Sequence, residues 1–211
     1  MSIGVRQHPF IVGIAGGSGS GKSTIVRLLI ERYRETINED KSFAIISQDF
    51  YYRDLSKLSE MERKDVNYDH PEALDAELMF AQLNTIANGY PIDAPIYDFA
   101  THTRSLKTRR IEPADIIFVD GILSLHFEDI RSIFSLKVYV DVDADIRILR
   151  RLQRDIRERG RDIDCIIKQY LESVRPMHQM FVEPTKDFAD EVVPWERKDI
   201  SVVDRVCSFL P

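Results

Sequence analysis

Short apolar runs alternate along this chain with longer stretches in which apolar residues recur every three to four positions. Phe10-Ile11-Val12-Gly13-Ile14-Ala15, Ser42-Phe43-Ala44-Ile45-Ile46-Ser47, Ile116-Ile117-Phe118-Val119 and Leu136-Lys137-Val138-Tyr139-Val140 are short, apolar and turn-bounded, as strands buried in a parallel sheet are. Glu191-Val192-Val193 predicts a last short strand. Between these runs the periodicity predicts helices over about 22–33, 75–88, 144–159, 163–180 and 200–209. Two segments at about 92–97 and 105–110 alternate in character and carry turn residues, which predicts a small antiparallel excursion. The expected fold class is α/β, a parallel sheet with helices on both faces. With 211 residues and no repeat, low-complexity tract or linker, the expectation is one domain over 1–211.

The first apolar run leads into Gly16-Gly17-Ser18-Gly19-Ser20-Gly21-Lys22-Ser23, which fits GxxxxGK[ST] between a strand and a helix. Its glycines let successive N–H groups turn inward onto phosphate oxygens. Lys22 can then reach the β- and γ-phosphates and the Ser23 hydroxyl can ligate Mg²⁺, with Thr24 beside it in the first helical turn. The positive end of the helix adds to the cradle. A nucleoside triphosphate is the implied ligand, and the fold becomes a P-loop NTPase fold. A flexible Gly/Ser linker would not explain a lysine and serine followed by Ile25, Val26, Leu28 and Leu29.

In such a sheet, the loops leaving the carboxyl ends of the strands gather on one edge. Gln48-Asp49 and Asp120-Gly121 open two of those loops, and the P-loop is the third. Two carboxylates beside a phosphate cradle suggest Mg²⁺ ligation and activation of a hydroxyl. An aspartate after a strand is by itself most often a turn former or cap, but behind a P-loop strand Asp120 reads as the metal-side acid.

Seven of the chain's 29 Lys and Arg residues, Arg147, Arg150, Arg151, Arg154, Arg157, Arg159 and Arg161, fall in a predicted helix and the turn after it. The 147, 150, 151, 154 spacing places four on one face, which suggests that something anionic faces them. One reading is a solvated face with i,i+4 partners such as Arg151–Asp155 and Arg154–Glu158. The other is a mobile lid over about 145–162 that brings guanidinium groups to a transferring phosphoryl group.

Residues 48–110 carry polar aromatic clusters, Phe50-Tyr51-Tyr52-Arg53, Asn67-Tyr68-Asp69-His70-Pro71 and Tyr97 through Arg104, which are expected to be poor core material. They suit a pocket for a planar ring and a sugar. Aromatics stack, Asp69 can take paired hydroxyl hydrogen bonds, and His102 can address a heterocycle edge. For any single His or Tyr, a satisfied and partly buried side chain is as good a reading. The histidines lack metal-ligand spacing, and carboxylate-plus-phosphate sites select Mg²⁺.

Charge narrows the partners. A net charge of -6 and 30% charged residues argue against nucleic acid, whose phosphates demand a basic surface. Cys165 and Cys207 have no CxxC spacing, no leader precedes the first strand and no apolar run approaches bilayer length, so no membrane association is expected and the expected setting is cytoplasmic.

Eight ordered blocks over about 190 residues give the chain a resemblance to the uridine kinase (uridine-cytidine kinase) family. They are the P-loop with Gly13-Ile14-Ala15; Ser47-Gln48-Asp49 with Tyr52-Arg53; Asn67 through Ala73; Pro95 through Phe99 with His102 and Arg104; and the strand ending in Asp120-Gly121-Ile122-Leu123. Asp141 through Asp145, Arg150 through Arg161, and Tyr170 through Lys186 follow. The resemblance implies ATP or GTP as phosphate donor, Mg²⁺, and the 5′-hydroxyl of uridine or cytidine as acceptor. It implies Asp49 as base, Lys22 as phosphate clamp, and Ser23 and Asp120, with Asp49, on the metal side. Asp69 and Arg151 would address the ribose, with Tyr52 on the same substrate side. Tyr97 and His102 would read the pyrimidine, Phe99 would pack against it, Arg161 and Gln169 would complete the pocket, and Arg154 and Arg159 would face the transferred phosphate. A homotetramer inhibited by CTP is also implied. The chain departs from the family at Asp120, where Glu is usual, and at Pro194-Trp195-Glu196-Arg197-Lys198-Asp199, where Pro-Arg-Gly is typical near the donor base. A phosphoribulokinase-like enzyme and a non-catalytic nucleotide-binding regulator are the alternatives. The chain carries no [NT]KxD guanine-reading motif.

Overall fold

The strand of the P-loop, β1 (Phe10–Ala15), is apolar at successive positions because it lies in the middle of a sheet covered on both sides. In the computed structural model, which describes residues 8–211, five strands pair in parallel in the order β2 (Phe43–Ser47), β5 (Ile116–Asp120), β1, β6 (Leu136–Asp141) and β7 (Glu191–Pro194). Alternate side chains of these strands feed two cores, as the two-residue period of a strand requires. Ile11, Ile117 and Val119 point to one, and Val12, Ile14, Ile116 and Phe118 to the other.

The second core is closed by α1 (Lys22–Thr36), which buries Ile25, Val26, Leu29 and Tyr33, and by α8 (Ile200–Cys207), which buries Val202, Val203 and Val206. The first is closed by α3 (Ala76–Ala87), through Met79, Leu83 and Ile86, and by a two-stranded antiparallel hairpin of β3 (Ile92–Asp98) and β4 (Thr103–Ile111). Two short helices were not expected from periodicity: α2 (Glu60–Lys64), which starts in a Ser59/Glu62 capping box, and α4 (Glu128–Ser132). The arginine-rich helix α5 spans Ala144–Arg159, as expected, and ends at Gly160 in the left-handed conformation.

Three expectations need correction. The Ser42–Ser47 run reads as a buried strand, but β2 lies at the sheet edge and Ile45 is 45% exposed. The single helix expected over 163–180 is broken: α6 (Ile163–Gln169) widens into a π-helical turn at Tyr170–Val174, then α7 (Arg175–Met177) and a second π turn at His178–Val182. Pro176 has no N–H for the carbonyl four residues earlier, so the regular ladder cannot run through it. Finally, Tyr51, Tyr52 and Tyr97 are buried in the first core rather than being poor core material. The Tyr51 hydroxyl donates to Gln82 Oε1 at 2.8 Å, which supplies its polar tip with a partner.

Burial sorts two leucines into opposite outcomes. Leu29 is fully buried and Leu106 on β4 is fully exposed. Leu29→Ala is expected to cost about 2–5 kcal/mol in urea denaturation, and Leu106→Ala less than about 0.5 kcal/mol. Equal effects would contradict this packing.

Candidate active site

The cradle is shaped by the backbone. Gly19 has φ +83, and a Cβ there would stand 2.3 Å from the Arg147 carbonyl oxygen, so only glycine fits. Gly21 caps α1 without any side-chain hydrogen bond, which leaves the first-turn N–H groups for an anion. Lys22 is buried, and its Nζ donates to the carbonyls of Gly16 (2.9 Å) and Gly17 (3.2 Å). Burial lowers its pKa, while Asp120 and Asp49 pull the other way. Ser18 and Ser20 complete the loop, and Ser23 and Thr24 open the helix.

Strand order brings the carboxylates here. β5 lies between β2 and β1, and Asp120 is in register with both Ser47 and Ile14, so their following loops leave the same edge. Asp49 sits in a 3₁₀ turn, Gln48–Tyr51, where its N–H donates to Ser47 Oγ at 3.2 Å. Gln48 is buried against Gly121, and its Oε1 accepts from the Leu123 N–H at 2.8 Å, tying the two loops together. Ser23 Oγ donates to Asp120 Oδ2 at 2.5 Å. Burial and the neighbouring Asp120 raise the Asp49 carboxyl from 3.8 to about 6, with Lys22, Arg159 and Arg154 acting against the shift. The hydroxyl of Ser23 and the oxygens of Asp120 and Asp49 are hard donors of the kind Mg²⁺ takes when it shares its shell with phosphates and water. Among the described residues, no cluster of three or more His, Cys, Asp or Glu forms a closed metal site.

The expected acceptor residues also converge. Tyr52 lies in the fields of Asp49, Asp69, Tyr97 and Arg151. Its ring centroid is 5.1 Å from that of Tyr97, which meets Phe99 edge-on at 5.3 Å. Asp69 is buried; burial raises its pKa and Arg151 opposes the shift. His102 adopts a left-handed backbone (φ 56) beside the turn between β3 and β4, and its ring stacks on Tyr68 at 4.6 Å and 17°. Tyr68 was given no role from sequence, although it stands next to Asp69. It donates its hydroxyl to the Arg63 carbonyl at 2.8 Å, and Arg63 donates to the Thr101 carbonyl at 2.5 Å, bracing the hairpin turn.

The arginines resolve into distinct groups. Arg147 is buried, donates Nε to the Val142 carbonyl at 3.0 Å and lies against Gly17. Arg150 donates to the carbonyls of Ser20 (3.2 Å), Trp195 (3.1 Å) and Glu196 (2.8 Å). These two brace the P-loop backbone. Arg151 donates to Ser18 Oγ at 2.8 Å and to Gln169 Oε1 at 3.0 Å, and Arg161 shares that Gln169 oxygen at 2.8 Å. Arg151, Arg154, Arg159 and Arg161 all lie within 4 Å of the fully buried Asp155 carboxylate. The Arg151–Asp155 pair is thus present, yet buried rather than on a solvated face. Burial alone would raise the Asp155 carboxyl, but the guanidiniums, Arg154 foremost, hold it below its usual range. The Arg159 guanidinium also lies 5.6 Å over the Phe99 ring, linking α5 to the hairpin. At the β7–α8 loop the Trp195 side chain is buried, with its indole edge at Gly21.

A family model described as phosphoribulokinase / uridine kinase matches residues 11–200. The chain belongs to the phosphoribulokinase/uridine kinase family. It is 51% identical over 208 residues to a uridine kinase of Lactobacillus helveticus (strain DPC 4571), covering 99% of this chain and 97% of that one. It is 47% identical over 198 residues to a uridine kinase of Geobacillus kaustophilus (strain HTA426), covering 94% and 92%. Among solved structures, a D-glycerate 3-kinase from Cryptococcus neoformans var. grubii has a TM-score of 0.64 at 15% identity, over 91% of this chain and 88% of that one, which is a likeness of fold. In this family member the loops after β1, β2 and β5, α5 and the hairpin surround one region. No described helix is long and apolar enough to cross a membrane.

The Asp49 shift has a cost to stability. A carboxyl whose folded pKa is raised makes the folded state lose stability as pH climbs from 3.8 to about 6, and the loss persists above that. In the absence of nucleotide and metal, Asp49→Asn is therefore expected to be more stable than the parent at pH 8, by about 1–2 kcal/mol after allowance for partial exposure. Near pH 3 the difference should vanish. A variant no more stable at pH 8 would show that the carboxylate carries no such penalty.

Proposed function

We propose that this chain is a uridine kinase, transferring the γ-phosphate of ATP or GTP to the 5′-hydroxyl of uridine or cytidine to give the nucleoside monophosphate. What supports this reading is that the Asp49 carboxyl is acted on by Lys22, Arg159 and Arg154 and itself acts on the Tyr52 and Tyr97 hydroxyls, with Asp69 acting on Tyr52 as well. The first group suits a phosphoryl group and the second a nucleoside, and Asp49 is within electrostatic reach of both.

In this mechanism Asp69 and Arg151 hold the ribose hydroxyls, while Tyr97, Phe99, His102, Arg161 and Gln169 enclose the base. A hydroxyl held in this way presents its oxygen to Asp49, which accepts the proton as the oxygen attacks. A base near pKa 6 is ionised at neutral pH and still basic enough to help. The ammonium of Lys22 moves from its two loop carbonyls to the phosphates, and Arg154 and Arg159 take up charge as it spreads over the transferring group. Ser23 and Asp120, with Asp49, would hold Mg²⁺, which neutralises donor phosphate charge when bound. Residues 48–110 serve as the nucleoside-binding insertion and 145–162 as the lid of a single kinase domain. The family's homotetramer, cytoplasmic setting and inhibition by CTP belong to the same reading. The outward Ile96 and Leu106 on the hairpin are in keeping with self-association.

A coupled assay with ATP or GTP, Mg²⁺ and uridine, cytidine, adenosine, ribose or ribulose 5-phosphate tests it. Phosphorylation of the two pyrimidine nucleosides is expected. Preference for ribulose 5-phosphate would support a phosphoribulokinase-like enzyme, and nucleotide binding without any transfer would support a regulator. Asp49→Asn should lower kcat by roughly 10²–10⁴-fold with nucleotide binding nearly intact. His102→Ala should lower kcat/KM for both pyrimidine nucleosides by about tenfold or more while sparing ATP binding. Near-parental kcat in the first variant would remove Asp49 from the mechanism, and equal use of adenosine and uridine would refute the pyrimidine pocket.

A further inference from the structure

Asp155 has no solvent exposure, and its two oxygens divide the arginines around it. Oδ1 receives Arg154, through Nε at 2.9 Å and Nη2 at 2.8 Å, and has Arg159 Nη1 at 3.5 Å. Oδ2 has Arg161 Nη1 at 3.3 Å and Arg151 Nε at 3.7 Å. The first pair comprises the arginines assigned to the transferring phosphate. The second comprises those that share Gln169 and, through Arg151, reach Ser18 of the P-loop. The backbone supports the same arrangement. The Asp155 carbonyl accepts from Gly160, which turns left-handed at φ 60, and from the Arg161 N–H at 3.1 Å. Arg159, still in the helix, faces Asp155 at i,i+4 spacing, and the turn curls the chain back so that Arg161 returns to the same carboxylate.

Four guanidiniums cannot be held this close without an anion, because their mutual repulsion in a partly dry site is several times what it would be in water. Asp155 is the anion that lies within 4 Å of all four. The two pairs differ in their other anchors: Arg151, 8% exposed, and Arg161, 31% exposed, are both also tied to Gln169, whereas Arg154 and Arg159, 33% and 42% exposed, do not share that tie and are open enough to turn toward an incoming phosphoryl group.

We infer that Asp155 is the positioning residue of the lid, holding Arg151 and Arg161 on one oxygen as a permanent wall of the acceptor pocket and retaining Arg154 and Arg159 on the other until the transferring phosphate takes them. This rests on the uridine kinase reading for the identity of the acceptor, but the arrangement of charge does not depend on it. Asp155 touches no reacting atom in this scheme and acts through the arginines.

The test uses the full-length enzyme and Asp155→Asn, which keeps the shape but leaves one oxygen and no charge. Expected results are a fall in kcat of about 10–100-fold, a rise of about threefold or more in KM for uridine, and ADP affinity within about twofold of the parent. In an Arg154→Ala/Arg159→Ala background, the further loss of kcat from Asp155→Asn should shrink to less than about threefold, since the groups it positions are gone. A side chain needed only for folding would give a loss that multiplies in full. The parent should also show slowly exchanging arginine Nε–H signals by NMR without ligand, lost in Asp155→Asn. Asp155→Glu, which keeps the charge, should recover part of kcat. Should Asp155→Asn not fold, the Asp155→Glu kinetics and the arginine signals of the parent carry the test. The inference is overturned by kcat and KM within about twofold of the parent in a folded Asp155→Asn, by fully multiplicative losses, or by absence of protected arginine signals in the parent. A parent that phosphorylates no nucleoside would fail the uridine kinase reading, and the NMR arm would still decide the role of Asp155.

Discussion

A phosphate site has to keep its positive charge gathered when no phosphate is there. Lys22, Arg147, Arg151, Arg154, Arg159 and Arg161 are gathered around the P-loop and along α5 and the turn after it. Each is held by an internal acceptor: loop carbonyls for Lys22, the Val142 carbonyl for Arg147, and the buried Asp155 for the other four. Left unpaired, a buried cation of this kind carries a desolvation cost that only an internal acceptor offsets.

The same constraint accounts for the character of the acids. Asp155 is surrounded by cations that hold its pKa below the usual range, whereas Asp49 is raised because burial and Asp120 outweigh Lys22, Arg159 and Arg154. Two aspartates near the P-loop therefore differ in basicity, and the raised one is the one that acts on the Tyr52 and Tyr97 hydroxyls. Neither difference comes from the residue type. Asp49 is raised by burial and a neighbouring carboxylate, and Asp155 is lowered by the guanidiniums packed around it.

Much of the site was legible because its parts are local. The P-loop is contiguous, its lysine and serine stand at fixed offsets from the glycines, and Asp49 and Asp120 each follow a strand. Helix α5 was read with its observed bounds from amphipathic spacing and from Gly160. Tyr68 is legible only as a member of a polar aromatic cluster, because its stacking on His102 joins residues 34 positions apart and neither has a periodic signal. Asp155 appeared only as the i,i+4 partner of Arg151. Arg159 stands at the same i,i+4 spacing on its other side, but the contact with Arg161 depends on the left-handed turn at Gly160, and the complete burial of Asp155 on the packing around α5. Trp195, a departure from the family's usual sequence, proved to be a buried contact of Gly21.

By itself, the sequence determined the alternation of strands and helices, the phosphate cradle, and which loops carry acids, because periodicity, glycine spacing and strand ends act over a few residues. Tertiary structure decided the strand order that aligns Ser47, Asp120 and Ile14, the edge position of β2, and the core role of Tyr51 and Tyr52. It also decided which arginines brace the P-loop and which gather on Asp155. The reason is electrostatic and steric. Helical spacing brings Arg151 and Arg159 near Asp155, but the partners that come from distant parts of the chain, Ser18 for Arg151 and the Ser20 and Trp195 carbonyls for Arg150, are set by what lies within reach after packing.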